Sequence, residues 1–516
     1  MKNFCLERWG CFAILAAVAL IESGTCDWYS SVDAMEELIK HENEIISIFH
    51  KYIDFQETKL QKLKEFVRSN EEVLLKAKQN MSQYLGHPIN QFKLIQRLIF
   101  EQQEAQLINE GHEFLDKILF KPEQFPMFAD LEGASKALIR LLDTYQLDIN
   151  ELTQGIIKGF IATQHLNAND CFYIGRVAYL GKNYNICVLW MTEAQNMDKN
   201  SYSTFTVFDL LDHLAFCLMK QGNVQEAHEL TKQLLQLDQS NQRIAKNLQY
   251  YKDALNHNNE TVSNIQLLSE DQTRYMEICR HTRKNIPPSV LKRLKCYLWT
   301  NGNHPRLLLK PAKVEELWHE PQLLRFHHFV SNSEMDAIKA FGLSKLERSR
   351  VSHTRNGAYS DQRISKNAWL PDSDSVATRI SQRISDVSEL SMETAELLQV
   401  ANYGMGGQYE PHLDSTEKEN PPFFPRIATV LIYLSDVAYG GSTAFTKAGV
   451  AAEPIKGSAV FWFNLNRAGK VDETTMHAGC PVAIGTKWIA NKWLGLKGQE
   501  LVRPCLLSPH AKNRLF

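Results

Sequence analysis

The spacing of apolar residues changes near residue 323, and no single layer of secondary structure accommodates both spacings. Upstream, apolar side chains recur three and four positions apart, the helical period. From about Leu323 onward they fall in short alternating runs broken by Gly, Pro, Asn and Asp, as strands and turns require. The chain is therefore read as α+β and multidomain, with an all-α N-terminal part followed by a strand-rich C-terminal part. Its 516 residues leave room for about three domains. Lys and Arg number 57 against 59 Asp and Glu, so the basic excess of a general nucleic-acid binder is missing.

The stretch from about Ser31 to Asn80 reads as one long helix. Met35, Leu38, Ile45, Phe49, Tyr52, Leu63 and Phe66 take heptad-like positions, interrupted by Glu42, Gln56 and Lys59. Such a seam suits a coiled coil or a long packed hairpin. Gly86-His87-Pro88 is expected to stop it, with further helix to about Tyr145. Residues 27–150 thus form a helical region. From about Asn169 to His257, helix–turn–helix repeats of tetratricopeptide type are expected. Ala215 and Ala227 permit close helix approach and Gly222 makes a turn, while the preceding pair, with Ala178, Gly181 and Trp190, matches the repeat more loosely. This unit, bounded as 151–257, offers a concave groove for an extended peptide, with Tyr184, Arg243, Asn247 and Tyr250 as candidate groove residues. Residues 258–322 are polar, carry Pro287-Pro288, and are expected to be a linker region.

In the C-terminal part, strands are expected around 398–401, 427–434, 459–465 and 487–496, with one helix from about Ser375 to Ser388 outside them. This density suggests a β-sandwich or jelly roll over 323–516. Within it lies His412-Leu413-Asp414. Alternation along a strand puts His412 and Asp414 on one face. A strand end and glycine loop, Asn402 to Pro411, precede the tripeptide. His477 follows 65 residues later, and Lys487 begins a strand ten residues beyond that. Two imidazoles and a carboxylate on one face of Fe(II) leave three coordination positions, enough for a bidentate keto acid and dioxygen. The distal carboxylate of the keto acid then needs a buried cation, which Lys487 would supply, with the hydroxyls of Tyr409 and Thr429 sharing it.

The N-terminus reads as a secretory signal. Lys2 and Arg8 flank an apolar run, Cys11 to Ile21, and small residues 23–25 follow. A signal peptide over 1–26 and a mature start near Asp27 are expected, with no membrane span elsewhere. Secretion permits disulfides, and local bridges Cys279–Cys296 and Cys480–Cys505 are expected. Cys171, Cys187 and Cys217 sit on apolar helical faces and are read as buried thiols. Asn80 and Asn259 head glycosylation sequons.

The chain resembles the catalytic α subunits of the collagen prolyl 4-hydroxylases, Fe(II)/2-oxoglutarate dioxygenases. The resemblance covers nearly all of the mature chain and is strongest in Gln408 to Asp414, Gly440 to Phe445, Gly457 to Trp462 and Lys487 to Trp493. It implies that His412, Asp414 and His477 bind iron, that Lys487 binds the 2-oxoglutarate C5 carboxylate, and that Tyr409 assists. It also implies a double-stranded β-helix catalytic domain, a dimerising N-terminal segment and a peptide-substrate domain. L-Ascorbate as reductant, protein disulfide isomerase as partner in an α2β2 tetramer, and the endoplasmic reticulum lumen follow from the same resemblance, as does a collagen-like X-Pro-Gly substrate. Arg363 to Leu370 resembles the family's mobile loop over the active site. The groove departs from the family pattern: His213, Phe216 and Met219 stand at tyrosine positions, and Asp253 at another. That departure keeps two alternatives open: a non-collagen secreted proline substrate, or a largely non-catalytic peptide-binding subunit.

Overall fold

The computed structural model describes residues 32–108, 126–197, 204–256, 269–281, 286–350, 361–415, 425–508, 511 and 513–515. The expected signal peptide, the start near Asp27 and the Asn259 sequon lie outside the described residues. The chain divides into two compact units, 1–78 and 79–516. The first is dominated by a single helix, α1 (Val32–Gln79). Ile45, Phe49, Tyr52, Leu63 and Phe66 of its seam are all exposed. The break comes at Asn80, before the expected Gly-His-Pro. Asn80 leaves helical geometry to cap α2 (Met81–Leu85), its side chain accepting from the Gln83 N–H.

The second unit begins with α2 and α3 (Pro88–Ile108), then α4 (Phe128–Tyr145), α5 (Ile149–Thr153) and a small hairpin, β1 (Ile156–Ile157) with β2 (Phe160–Ile161). The repeats follow as α6 (Ala168–Leu180), α7 (Tyr184–Asn196), α8 (Val207–Gln221), α9 (Val224–Leu237) and α10 (Gln242–Asn256). Gly222 ends α8 at φ 89°, the left-handed conformation that a repeat turn demands. Trp190, Leu214, Ala227 and Ile244 lie in one buried core. Of the three thiols expected on apolar faces, Cys171 is buried and free. Cys187 and Cys217 are instead bridged, because α7 and α8 pack side by side and bring their Cα atoms to 6.4 Å.

The expected linker is largely structured. After α11 (Glu270–Arg280) and α12 (Pro288–Leu291) come β3 (Cys296–Trp299), α13 (Pro305–Leu309) and β4 (Ala312–Trp318). Both strands belong to the main sheet, which therefore starts before Leu323. The rest is β5 (Leu323–His327), α14 (Asn332–Leu343), β6 (Glu347–Arg348), β7 (Lys366–Leu370) and α15 (Ser375–Ser388). Then come β8 (Leu398–Tyr403), β9 (Tyr409–His412), β10 (Arg426–Tyr433), β11 (Tyr439–Gly440), β12 (Thr443–Phe445) and β13 (Val450–Ala452). The last strands are β14 (Ala459–Phe463), β15 (His477–Gly479), β16 (Val482–Ile484) and β17 (Lys487–Gly495). The nine-stranded sheet runs β3-β4-β5-β14-β10-β17-β8-β7-β6. The facing sheet runs β13-β12-β15-β9, with β11-β16 as a separate pair. All pairings are antiparallel, and the two sheets form the jelly roll.

Strand β10 shows why the core sorts as it does. Ala428, Val430 and Ile432 point towards α14 and α15, while Leu431 and Tyr433 point between the sheets. With both faces covered, such a strand is apolar almost throughout.

Helices α4 and α11 brace the smaller sheet. Tyr145 Oη donates to Pro481 O, Tyr275 Oη donates to Gly479 O at 3.2 Å, and Arg140 donates to Gly406 O at 2.7 Å. Gly406 sits at φ 59°, and a Cβ there would lie 2.7 Å from Cβ of Ala137, so the glycine loop is the seat of α4. The docking of α11 also corrects the expected disulfides. Cys279 is bonded to Cys480, 201 residues away, while Cys296 and Cys505 are free and exposed. Packing, not sequence proximity, decides which cysteines meet.

Candidate metal centre

Strands β9 and β15 are paired so that His412 and His477 stand directly opposite each other. Asp414 follows just past the end of β9. Its Oδ1 lies 3.7 Å from His412 Nε2, and its Oδ2 lies 3.6 Å from His477 Nε2. One ligand atom from each of the three residues falls within 4.8 Å of the others. The orientation is fixed from behind. Nδ1 of His412 lies 2.8 Å from Glu410 O, and Nδ1 of His477 lies 3.0 Å from Thr475 O. A carbonyl can only accept, so each Nδ1 carries a proton and each Nε2 is turned towards Asp414.

Electrostatics favours the same state. Burial drives the His412 imidazole down to about 3, and the facing His477 adds to the push. Burial alone would raise the Asp414 carboxyl, but His477, His412 and Arg426 outweigh it and hold the group below its usual range. Neutral imidazole beside ionised carboxylate is the protonation state in which both act as metal ligands. Thr429 differs from expectation. Its hydroxyl donates to Asp414 Oδ2 at 2.7 Å and accepts from Asn464 Nδ2 at 2.8 Å. It orients Asp414 and does not line the cavity beside Lys487.

Lys487 opens β17, and Lys487, Ile489, Asn491 and Trp493 all face the cavity that contains the three residues. Its side chain is buried, with Nζ 5.5 Å from the Tyr403 ring centroid and 5.7 Å from that of Tyr433. Among the described residues no carboxylate pairs with it, and burial pulls the ammonium down to about 7. Tyr409 stacks on His412 with centroids 3.5 Å apart, and burial raises its phenol, which stays a hydrogen-bond donor. Trp462 and Asn491 also line this cavity. One polar atom of each, Nε1 and Oδ1, is buried without a hydrogen-bond partner among the described residues, which suits a polar occupant.

Arg363 was the main omission from the expected site. It forms an isolated bridge with Tyr409, places its guanidinium 4.8 Å from that ring, and donates to Gln399 at 2.9 Å. It is the first residue of the segment expected to be a mobile loop. In the structure, residues 366–370 of that segment form β7, paired along its length with β8. Thr443 and Trp462 also line the cavity, and the motifs Gly440 to Phe445 and Gly457 to Trp462 already contained them.

The expected groove residues are more dispersed. Tyr184 packs against Phe216 at 5.9 Å, and Phe216 and His213 both pack against Tyr179. Arg243 forms a two-pronged pair with Asp212 at 2.8 and 2.9 Å. Tyr250 is exposed beside Tyr251, and Asn247 is half-buried. Met219 is buried in the repeat core, so it does not line a groove. Asp253 is exposed and accepts from Gln249.

Comparison with known proteins finds three family models along the chain. Residues 31–159 match the N-terminal region of the prolyl 4-hydroxylase alpha-subunit. Residues 168–257 match the prolyl 4-hydroxylase peptide-substrate-binding domain, and 398–495 match the 2OG-Fe(II) oxygenase superfamily. The mouse prolyl 4-hydroxylase subunit alpha-1 is 37% identical over 96% of this chain and 98% of its own. The Caenorhabditis elegans subunit alpha-2 is 35% identical over 98% of each. Among solved structures, the 2-oxoglutarate complex of a viral collagen prolyl hydroxylase from Paramecium Bursaria Chlorella virus-1 covers 33% of this chain and 94% of its own. It is 26% identical, with a TM-score of 0.29.

Proposed function

Because the chain belongs to the prolyl 4-hydroxylase alpha-subunit family, and is a proline dioxygenase by that membership, we propose that it 4-hydroxylates prolines in collagen-like X-Pro-Gly peptides, with His412, Asp414 and His477 holding Fe(II). One observation carries this reading: two histidines far apart in sequence face each other across a strand pair, with a carboxylate at 3.6 and 3.7 Å and, in the same cavity, a buried lysine that no carboxylate pairs among the described residues.

When bound, iron with 2-oxoglutarate and dioxygen supplies the oxidising chemistry that leaves a hydroxyl on the prolyl ring, with succinate and CO2 as co-products. The chain's own residues prepare that chemistry. Glu410 O and Thr475 O hold the two Nδ1 protons, so that both Nε2 atoms face Asp414. Thr429 fixes the Asp414 rotamer. Lys487 anchors the far carboxylate of 2-oxoglutarate, regaining the counter-charge that burial denies it. The protonated phenol of Tyr409 donates to the same carboxylate, and Arg363 and His412 sandwich its ring in place. Trp462 and Phe445, whose rings pack on His477 at 4.8 and 5.7 Å, keep water from that ligand.

The helical repeats present the peptide, with Tyr184, Arg243, Asn247 and Tyr250 on the binding side and Phe216 and His213 in place of phenols. The exposed seam of α1 supports self-association. Family resemblance supports the remaining roles: protein disulfide isomerase as partner in an α2β2 tetramer, L-ascorbate as reductant, and the endoplasmic reticulum lumen as the site of action. The test is mass spectrometry of a Pro-Pro-Gly repeat peptide incubated with the co-expressed subunits, Fe(II), 2-oxoglutarate and ascorbate. Peptide-dependent succinate release with a 16-Da gain on proline is expected. An assembled protein that produces neither contradicts the reading. Activity only on proline sequences without glycine repeats moves the substrate to a different secreted protein.

A further inference from the structure

We propose that the catalytic domain carries a second binding cavity, on the other face of its main sheet, for a small phosphate ester with an apolar or aromatic body. The cavity lies where α13, β4, β5 and α15 meet and encloses about 570 Å³. That is the size of an ordinary small-molecule site. It shares no lining residue with the cavity of His412, Asp414 and His477. The two are separated by the sheet itself, since Phe326 and Val387 belong to the core on the helix-covered side.

Its lining divides into two kinds of surface. The floor is apolar: Leu307, Phe326, Phe329 and Val387 are all buried. The walls are cationic. Five Lys and Arg residues, Arg306, Lys310, Lys313, Arg379 and Arg383, face a single lining carboxylate, Asp386. This is a local reversal of the chain's balance of 57 basic to 59 acidic residues. Asp386 is already engaged, accepting from Arg306 at 3.0 Å and from Gln382 at 2.9 Å. Arg383 is held by Glu334 at 3.0 Å and by Phe329 O at 2.8 Å, and Arg379 lies 3.6 Å from Glu334. His327 is taken by Glu315 at 2.9 Å. Lys310 and Lys313 pair with no carboxylate among the described residues.

Three guanidiniums held by two carboxylates, and two ammoniums unpaired among the described residues, leave an excess of positive charge around one cleft, where a low-dielectric floor focuses it. An entering anion relieves that repulsion. Guanidinium forks with point-charge lysines suit phosphate. The apolar floor and the volume ask for a body that a bare ion or a short dicarboxylate lacks. Nucleotides and alkyl phosphates both meet this description.

The experiment is calorimetric titration of the purified full-length protein, with any subunit that co-purifies, in metal-free buffer containing 2-oxoglutarate. The probes are ATP, decyl phosphate, adenosine and inorganic phosphate. Saturable binding of ATP or decyl phosphate, at least about tenfold tighter than adenosine or phosphate alone, is expected, and the tighter of the two identifies the body. Lys310→Glu combined with Lys313→Glu should weaken that binding at least about tenfold while leaving peptide hydroxylation unchanged. Both lysines are exposed, and the milder pair Lys310→Ala with Lys313→Ala, checked by melting temperature, guards against a folding artefact. The proposal is overturned if neither ester binds, if inorganic phosphate or adenosine binds as tightly as the esters, or if the lysine variants leave affinity untouched.

Discussion

The jelly roll and the helical repeats place their functional side chains by opposite means. In the jelly roll, His477, Asp414 and Lys487 are buried, and each histidine is held from behind by a backbone carbonyl. In the repeats, Arg243 and Tyr250 are exposed, and Phe216 and His213 touch mainly each other's aromatic neighbours. Buried, hydrogen-bonded groups have one geometry and fail abruptly when altered. Exposed groups share affinity among several contacts and fail by degrees. The molecule thus keeps bond-making chemistry where rearrangement is costly and peptide selection where substitution is cheap.

The largest effect that can break this contrast is His477→Ala. Loss of groups that merely orient ligands costs about 10–100-fold, so loss of the ligand itself should cut peptide-dependent succinate release by more than about 100-fold. A small loss would put His477 with the graded residues. Next comes Lys487→Met, which should raise the 2-oxoglutarate requirement by at least about 100-fold, because breaking a buried ion pair costs about 3–5 kcal/mol.

The same variant has a second readout with a defined sign. Unfolded, this lysine keeps its proton to about pH 10.4. Folded and without co-substrate, it keeps it only to about 7. Between those values the unfolded chain binds more protons, so wild-type stability rises with pH. Lys487→Met should therefore melt higher than wild type without 2-oxoglutarate, most clearly at pH 7 and below, with the gap shrinking towards pH 10. A gap that is constant across pH would remove the buried-charge explanation.

Thr429→Val should weaken Fe(II) affinity about 10–100-fold with little change in the 2-oxoglutarate requirement. The reverse pattern, measured by metal titration and co-substrate kinetics, would return Thr429 to the carboxylate side. In the repeats, Phe216→Ala should raise the peptide KM by up to about tenfold, the scale of an aromatic contact worth about 0.5–1.5 kcal/mol. Arg243→Ala should raise it by no more than about fivefold, as suits an exposed pair of about 0.2–1 kcal/mol. A hundredfold change from either would erase the difference between the two regions.

Local pattern carries much of this architecture. Ser375–Ser388 was legible as a helix, and Lys487 to Gly495 as a strand, because their periods are strong over many residues. The convergence of His412, Asp414 and His477 was legible because residue type and order survive in sequence even when the two histidines stand 65 positions apart. Pairing was not legible. Strands β3 and β4 looked like a linker because they lie in a stretch broken by Pro and polar residues. Residues 366–370 looked like a loop because only their pairing with β8 makes them a strand. Cys279 reached past nearby Cys296 to Cys480 because α11 docks on the smaller sheet. Thr429 moved from the co-substrate to Asp414 because a hydroxyl's partner depends on what lies across the fold.

The most direct test is anaerobic titration of the purified protein with Fe(II), comparing wild type with His477→Ala and Asp414→Ala. The account predicts one tightly bound iron per wild-type chain and none of comparable affinity in either variant. Full-strength iron binding by both variants would contradict it, since the metal would then have to sit somewhere other than the strand pair that sets His412 against His477.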